Sequence, residues 1–174
     1  MRAFIAVELP QDIKDLLGRQ KEQLQNKITA AKWVEPENLH LTIKFLGEID
    51  EKEIPSIQKS LELTAKAVKK IPTRLNGFGV FPNPKNPQVL FAALAQEADL
   101  MKLYQTLSAN FEGEMDMLFK AHITLCRFKE KMFFDPALAK LEPINFVLDN
   151  LTLFKSKLTA QGALHDKIFS CLLT

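Results

Sequence analysis

Leu39-His40-Leu41-Thr42-Ile43-Lys44-Phe45-Leu46 reads as a β-strand, because polar and apolar side chains alternate along it. Successive side chains of a strand point to opposite faces. His40, Thr42 and Lys44 therefore share one face, and Leu41, Ile43 and Phe45 share the other. The pattern returns as Ala121-His122-Ile123-Thr124-Leu125-Cys126-Arg127-Phe128. There His122, Thr124 and Cys126 take one face and Ile123 and Leu125 the other. The second histidine and second threonine each follow the first by 82 positions, about half of the 174-residue chain. A tetrapeptide repeated at that spacing, in matching strands, points to an internal duplication with one motif per half. If the halves face each other across a pseudo-two-fold axis, two imidazoles and two hydroxyls line one groove.

Around these strands the pattern is mixed. A short strand at residues 4–9 leads through Pro10 into a helix at 10–27, with Ile13, Leu16, Leu17 and Leu24 near helical spacing. Further helices are expected at 52–69 and 97–111, and a short one opening at Pro136. Strands are expected at 74–81, 88–94, 144–154 and 164–172, with a stiff Pro82–Pro87 loop between the first two. The order lacks the regular alternation of a doubly wound sheet, so the fold class is α+β with mainly antiparallel sheets. No low-complexity linker divides the chain, and residues 1–174 are expected to form one domain.

Composition narrows the function only slightly. The formal charge of +2 gives no general affinity for polyanions, so nucleic-acid contacts must come from local placement of Lys and Arg. Cys126 and Cys171 are too few for a disulfide framework or a thiolate metal cluster. No stretch reaches the ~20 apolar residues of a membrane span, and the apolar run before Glu8 and Pro10 is shorter than a secretory signal needs, so none is expected. A cytoplasmic protein is expected.

Two histidines and two threonines on one groove suit hydrolysis of a phosphodiester. A neutral imidazole takes a proton from water while a protonated one gives a proton to the leaving oxygen. The hydroxyls of Thr42 and Thr124 can donate to non-bridging phosphate oxygens. A strained five-membered cyclic phosphate needs a metal less than an open diester does. A zinc site with His165 as third ligand is the sharper rival, but no ligand grouping has close spacing, so no metal or cofactor is expected. A binding protein without catalysis would not need both histidines.

Trp33-Val34-Glu35-Pro36-Glu37-Asn38-Leu39-His40-Leu41-Thr42-Ile43-Lys44-Phe45-Leu46-Gly47 resembles the first motif of the 2H phosphoesterases, and more narrowly of their RNA 2′,3′-cyclic phosphodiesterase (2′-5′ RNA ligase) branch. The resemblance extends to Arg2-x-Phe4, Leu9-Pro10, Phe81-Pro82-x-Pro84-x-x-Pro87, residues 122–128 and Leu151-Thr152-Leu153-Phe154-Lys155-Ser156. It implies two pseudo-symmetric lobes with outer helices around a central basic cleft, one His-x-Thr-x motif per lobe (40–43 and 122–125). It implies hydrolysis of an RNA-terminal 2′,3′-cyclic phosphate to a 2′-phosphate, reversible 2′-5′ ligation in some members, and RNA ends, tRNA fragments among them, as partners. Small cyclic phosphates such as that of ADP-ribose are the alternative substrates. A monomer is expected.

The resemblance gives His40 and His122 as catalysts; the near-symmetry of the halves leaves their division open, and His40 is assigned to the leaving oxygen and His122 to water. It gives Thr42, Thr124 and Arg127 as phosphate contacts. Strict alternation would put Arg127 on the face away from His122, so the strand must bulge or twist there, or the side chain must reach round the edge. Phe45 holds the equivalent place in the first half and can stack on a base. Lys44 and Lys120 are the best placed of the other cations. Two departures from the family pattern stand out. Gln88 replaces an expected arginine, and a tyrosine is lacking near His165, itself expected at a surface or interface.

Overall fold

The computed structural model describes residues 1–95, 97–111, 119–135, 139–159 and 163–174. Among them the strands are β1 (Arg2–Glu8), β2 (Ala31–Trp33), β3 (His40–Glu48), β4 (Ile71–Phe81), β5 (Val89–Leu94), β6 (His122–Phe128), β7 (Asn145–Leu148), β8 (Asn150–Leu158) and β9 (Ala163–Leu172). The helices are α1 (Gln11–Gln25), α2 (Ile54–Ala67) and α3 (Glu97–Ser108). The helix expected at Pro136 falls on residues outside the described set. No described helix is long and apolar enough to cross a membrane.

All pairings are antiparallel, in the order β7-β4-β5-β6-β3-β1-β8-β9, with β2 also on β6. The α+β class and the two-lobed arrangement follow directly. Lobe A is β3-β1-β8-β9, and lobe B is β6-β5-β4-β7 with β2. They join where β3 meets β6, at the pair Leu41 and Ile123, both fully buried. The lobes exchange strands: β4 crosses to lobe B, and the C-terminal β8 and β9 complete lobe A.

One expected element divides. Residues 144–154 form two strands, because the chain turns at Asp149 and its pieces pair at opposite ends of the sheet. β7 joins β4, while β8 joins β1 and β9. The Asp149 carbonyl accepts from Leu173 N (2.8 Å), and Asn150 Oδ1 accepts from Glu8 N (2.9 Å). Only long-range partners mark this break.

Local packing prepares the site. Ile13, Leu17 and Leu24 follow the 3.6-residue period and bury one face of α1. Gly18 on that face lets α1 approach Pro36, where a Cβ would lie 3.1 Å from the ring. Pro36 opens the 3₁₀ turn Pro36–Asn38, which feeds β3. α2 starts behind a capping box made by Asp50 and Glu53. It packs Ile57, Leu61 and Ala65 against β8 and β9, and touches α3, which lies on β3. With the apolar faces of the strands covered, the opposite faces of β3 and β6 remain open.

Candidate active site

The β3–β6 junction decides the geometry. Leu41 opposite Ile123 places His40 across from Thr124, and Thr42 across from His122, on the face away from the core. All four border one cavity of about 950 Å³, which Arg127, Phe45, Lys44, Lys120 and His165 also line.

Each strand carries a bulge at the fourth position of its tetrapeptide. Against β1, Ile5 pairs with Lys44 and Ala6 with Thr42, so Ile43 is unmatched. Against β5, Leu90 pairs with Cys126 and Phe91 with Thr124, so Leu125 is unmatched. An extra residue resets the alternation beyond it. Leu125 and Cys126 are consequently both buried, and Arg127 turns to the face of His122 and Thr124. This resolves the placement of Arg127 and corrects that of Cys126, whose thiol is a core group pushed up to about 12 by burial. In β3 the same reset gives Phe45 to the His40 face, opposite Phe4. Lys44 still borders the cavity but turns its Nζ to 6.0 Å from the Phe111 ring. Phe45 is 71% exposed, an open aromatic face at the cavity.

Both histidines are oriented by backbone carbonyls two residues upstream. His40 Nδ1 lies 2.7 Å from Asn38 O, and His122 Nδ1 lies 2.7 Å from Lys120 O. A carbonyl only accepts, so Nδ1 carries the hydrogen and Nε2 is bare in the neutral rings. His40 Nε2 accepts from Thr42 Oγ1 at 3.0 Å.

Aromatic rings complete the seats. His40 lies against Phe4 (centroids 4.9 Å) and Phe154 (6.2 Å), which stack on each other at 5.3 Å. His122 stands edge-on to Phe81 (5.1 Å) and Phe91 (5.5 Å), themselves stacked at 4.3 Å. Gly79 makes the second seat possible, since a Cβ there would lie 2.4 Å from the Phe91 ring. Phe4, Phe81 and Phe154 belong to stretches quoted from the sequence, but nothing in the pattern marked Phe91 or Gly79 as parts of the site.

Burial is the main reason both imidazoles hold protons weakly. His40 is lowered to about 4, with the charges of His165, Lys14 and His122 adding to desolvation and the Asn38 carbonyl opposing it. His122 is lowered as well, chiefly by desolvation, then by Arg127 and Lys120, against the Lys120 carbonyl. An anion bound between them favours the charged forms.

The two departures part company. Gln88 is exposed and uses its backbone, accepting from Phe128 N at 3.0 Å. His165, expected at a surface or interface, is half-buried and borders the cavity with its ring 5.3 Å from that of His40. Among the described residues no three His, Cys, Asp or Glu side chains are grouped to hold a metal ion.

Residues 7–91, which include the first tetrapeptide, match the family model described as LigT like phosphoesterase. A Thermotoga maritima protein named RNA 2′,3′-cyclic phosphodiesterase is 30% identical over 98% of this chain and 95% of its own length. An Archaeoglobus fulgidus protein of the same name is 36% identical over 75% and 74%. The crystal structure of TT0787 from Thermus thermophilus superposes with a TM-score of 0.89 at 31% identity, covering 99% of this chain and 98% of that one. Escherichia coli LigT, at 23% identity and a TM-score of 0.73, shares the fold. With relatives aligned across both tetrapeptides and both lobes, the chain belongs to the LigT-like family of 2H phosphoesterases.

Proposed function

We propose that this protein hydrolyses the 2′,3′-cyclic phosphate at an RNA end to a 2′-phosphomonoester, without a metal. The observation that carries the reading is the pair of imidazoles with bare Nε2 atoms, each beside the other motif's threonine across one junction. The full-length relatives named RNA 2′,3′-cyclic phosphodiesterase supply the substrate class.

In the reaction one neutral histidine takes a proton from water as its oxygen attacks phosphorus. The bond from phosphorus to the 3′ oxygen breaks, and the other histidine, protonated at Nε2, gives that oxygen its proton. Thr42, Thr124 and Arg127 hold the non-bridging oxygens, so the Thr42 hydroxyl exchanges His40 for phosphate when substrate binds. Phe45 stacks on the terminal base. His40 serves as acid and His122 as base, which requires the bound phosphate to raise His40 well above its value in the empty site. The deeper desolvation of His40 favours the reverse division as a second reading. With a 5′-hydroxyl RNA in place of water as the nucleophile, the same steps break the bond to the 3′ oxygen and join a 2′-5′ bond.

The cavity is within the size of small-molecule sites, which keeps small cyclic phosphates such as ADP-ribose cyclic phosphate as the alternative substrate. We place the protein in the cytoplasm as a monomer acting on RNA ends, tRNA fragments included, in keeping with two free cysteines. Incubation of an RNA 2′,3′-cyclic phosphate beside mononucleotide and ADP-ribose cyclic phosphates, with phosphorus NMR of the products, tests the reading. Fast RNA hydrolysis to a 2′-monoester by chelator-stripped protein is expected. Exclusive 3′-phosphate, or loss of rate on stripping that zinc restores, would overturn it.

A further inference from the structure

Of the three histidines in the chain, His165 is the one the proposed chemistry does not use. β9 places it opposite Ser156 of β8, and it reaches the same cavity as His40. Phe4, His40 and Phe154 lie roughly parallel, with interplanar angles of 31° and 18° to Phe4. His165 stands across them, at 78° to Phe4 (4.9 Å), 89° to His40 (5.3 Å) and 62° to Phe154 (6.4 Å). Its Nδ1 is buried and no side chain hydrogen-bonds to it. A phenyl ring would make the same edge contacts and bury no polar atom. An imidazole here is therefore poorly explained by packing.

We propose that His165 is a positioning residue acting through His40: its ring fixes the His40 imidazole against Phe4, and the two rings take up no more than one proton between them. The inference rests on the reading of His40 as a catalytic group. Two cationic rings 5.3 Å apart in a partly desolvated cavity repel, so charging one opposes charging the other. In keeping with this, the charge of His165 follows burial among the causes that hold His40 low. His165 is itself lowered by burial, with the Leu164 backbone and Asp166 opposing.

The other charged groups around the pair are already engaged or stand apart. Asp166 pairs with Lys157 of β8 (3.4 Å), and Lys167 of β9 with Glu8 of β1 (2.7 Å). Lys14 of α1 donates to the Glu37 carbonyl (3.1 Å). Arg2 and Lys44, on β1 and β3, border the cavity, and His122 with Lys120 and Arg127 faces it from lobe B. The consequence for the reaction is directional. A phosphate anion arriving at His40 favours the charged form of that ring, and His165 stays neutral until the transfer is complete.

Three histidines give three imidazole Cε1 proton signals, so the pair can be titrated by NMR in the empty enzyme, with His122→Ala assigning one signal. The His40 signal is expected to show two steps, one coincident with the titration of His165. In His165→Phe, which keeps the ring contacts, the His40 step becomes single and moves up by about one pH unit. The matching limb of the kcat–pH profile moves the same way, while KM and the melting temperature change little. An unmoved, unaltered His40 curve in His165→Phe overturns the proposal. Should that variant fail to fold, independent one-step curves for His40 and His165 in the parent protein overturn it equally. Coupled titration together with an active His40→Ala enzyme would leave the coupling standing and refute the catalytic reading of His40 instead.

Discussion

The two lobes build the same histidine seat from different sequence and then diverge one step beyond it. In each, a carbonyl two residues upstream fixes Nδ1, stacked phenylalanines back the ring, and a bulge at the fourth motif position resets the strand. The residue two places past that bulge is then delivered to the cavity. In lobe B it is Arg127, and in lobe A it is Phe45. A symmetric scaffold thus presents a cation on one side and an exposed aromatic face on the other. On the proposed reading the paired motifs supply an acid–base pair, and the divergent position gives the site a direction, with Arg127 of lobe B turned to phosphate and Phe45 of lobe A to a base.

The largest effects should fall on the symmetric part. His40→Ala and His122→Ala are each expected to lower kcat by about 10²–10⁴-fold while the circular dichroism spectrum is kept. A lobe whose histidine can be removed without loss would break the equivalence of the seats. Next in size, Thr42→Val and Thr124→Val remove a hydroxyl and keep shape, at roughly 2.7–4 kcal/mol of transition-state stabilisation each. A near-parental rate in the double variant would show that both threonines merely pack.

Protonation should sharpen the contrast. His40 is lowered from an unfolded value of 6.5 to about 4, so its neutral form is favoured in the folded chain. As pH falls below about 6.5 the unfolded chain takes up that proton first, and stability is lost progressively until about pH 4, by roughly 3 kcal/mol in total. Urea unfolding at several pH values should show a shallower slope in His40→Phe than in the parent. His122→Phe should flatten the slope less, since the ring it replaces is less deeply seated.

The smallest effects test the direction. Phe45→Ala is expected to weaken kcat/KM on RNA and mononucleotide cyclic phosphates by about fivefold, the low end of one base stacked on an aromatic ring. Arg127→Ala should instead weaken every cyclic phosphate alike, whatever base it carries. Equal losses across substrates in both variants would mean that the lobes do not divide phosphate from base.

Much of this could be read from the chain. The paired tetrapeptides, their strands, the α+β class and the four motif side chains follow from a period-two pattern, which is local and needs no partner to be visible. Gly79 and Phe91 gave no such signal, because a glycine under a ring is defined only when two strands meet. The break at Asp149 was equally silent, since alternation runs through it and only the pairings of β7 and β8 at opposite ends of the sheet separate the two strands.

Local alternation is enough to specify two imidazoles and two hydroxyls on the polar faces of two strands. Which further side chains join them depends on how the strands pair. Alternation places Cys126 beside His122 and sends Arg127 away, and a bulge at Leu125 reverses both. The same holds for Phe45 beyond Ile43, and for His165, brought to His40 from the far end of the chain by β8 and β9. A bulge and a strand exchange are properties of pairs of strands, set by which long-range register buries the most apolar surface. A single strand read alone cannot contain them.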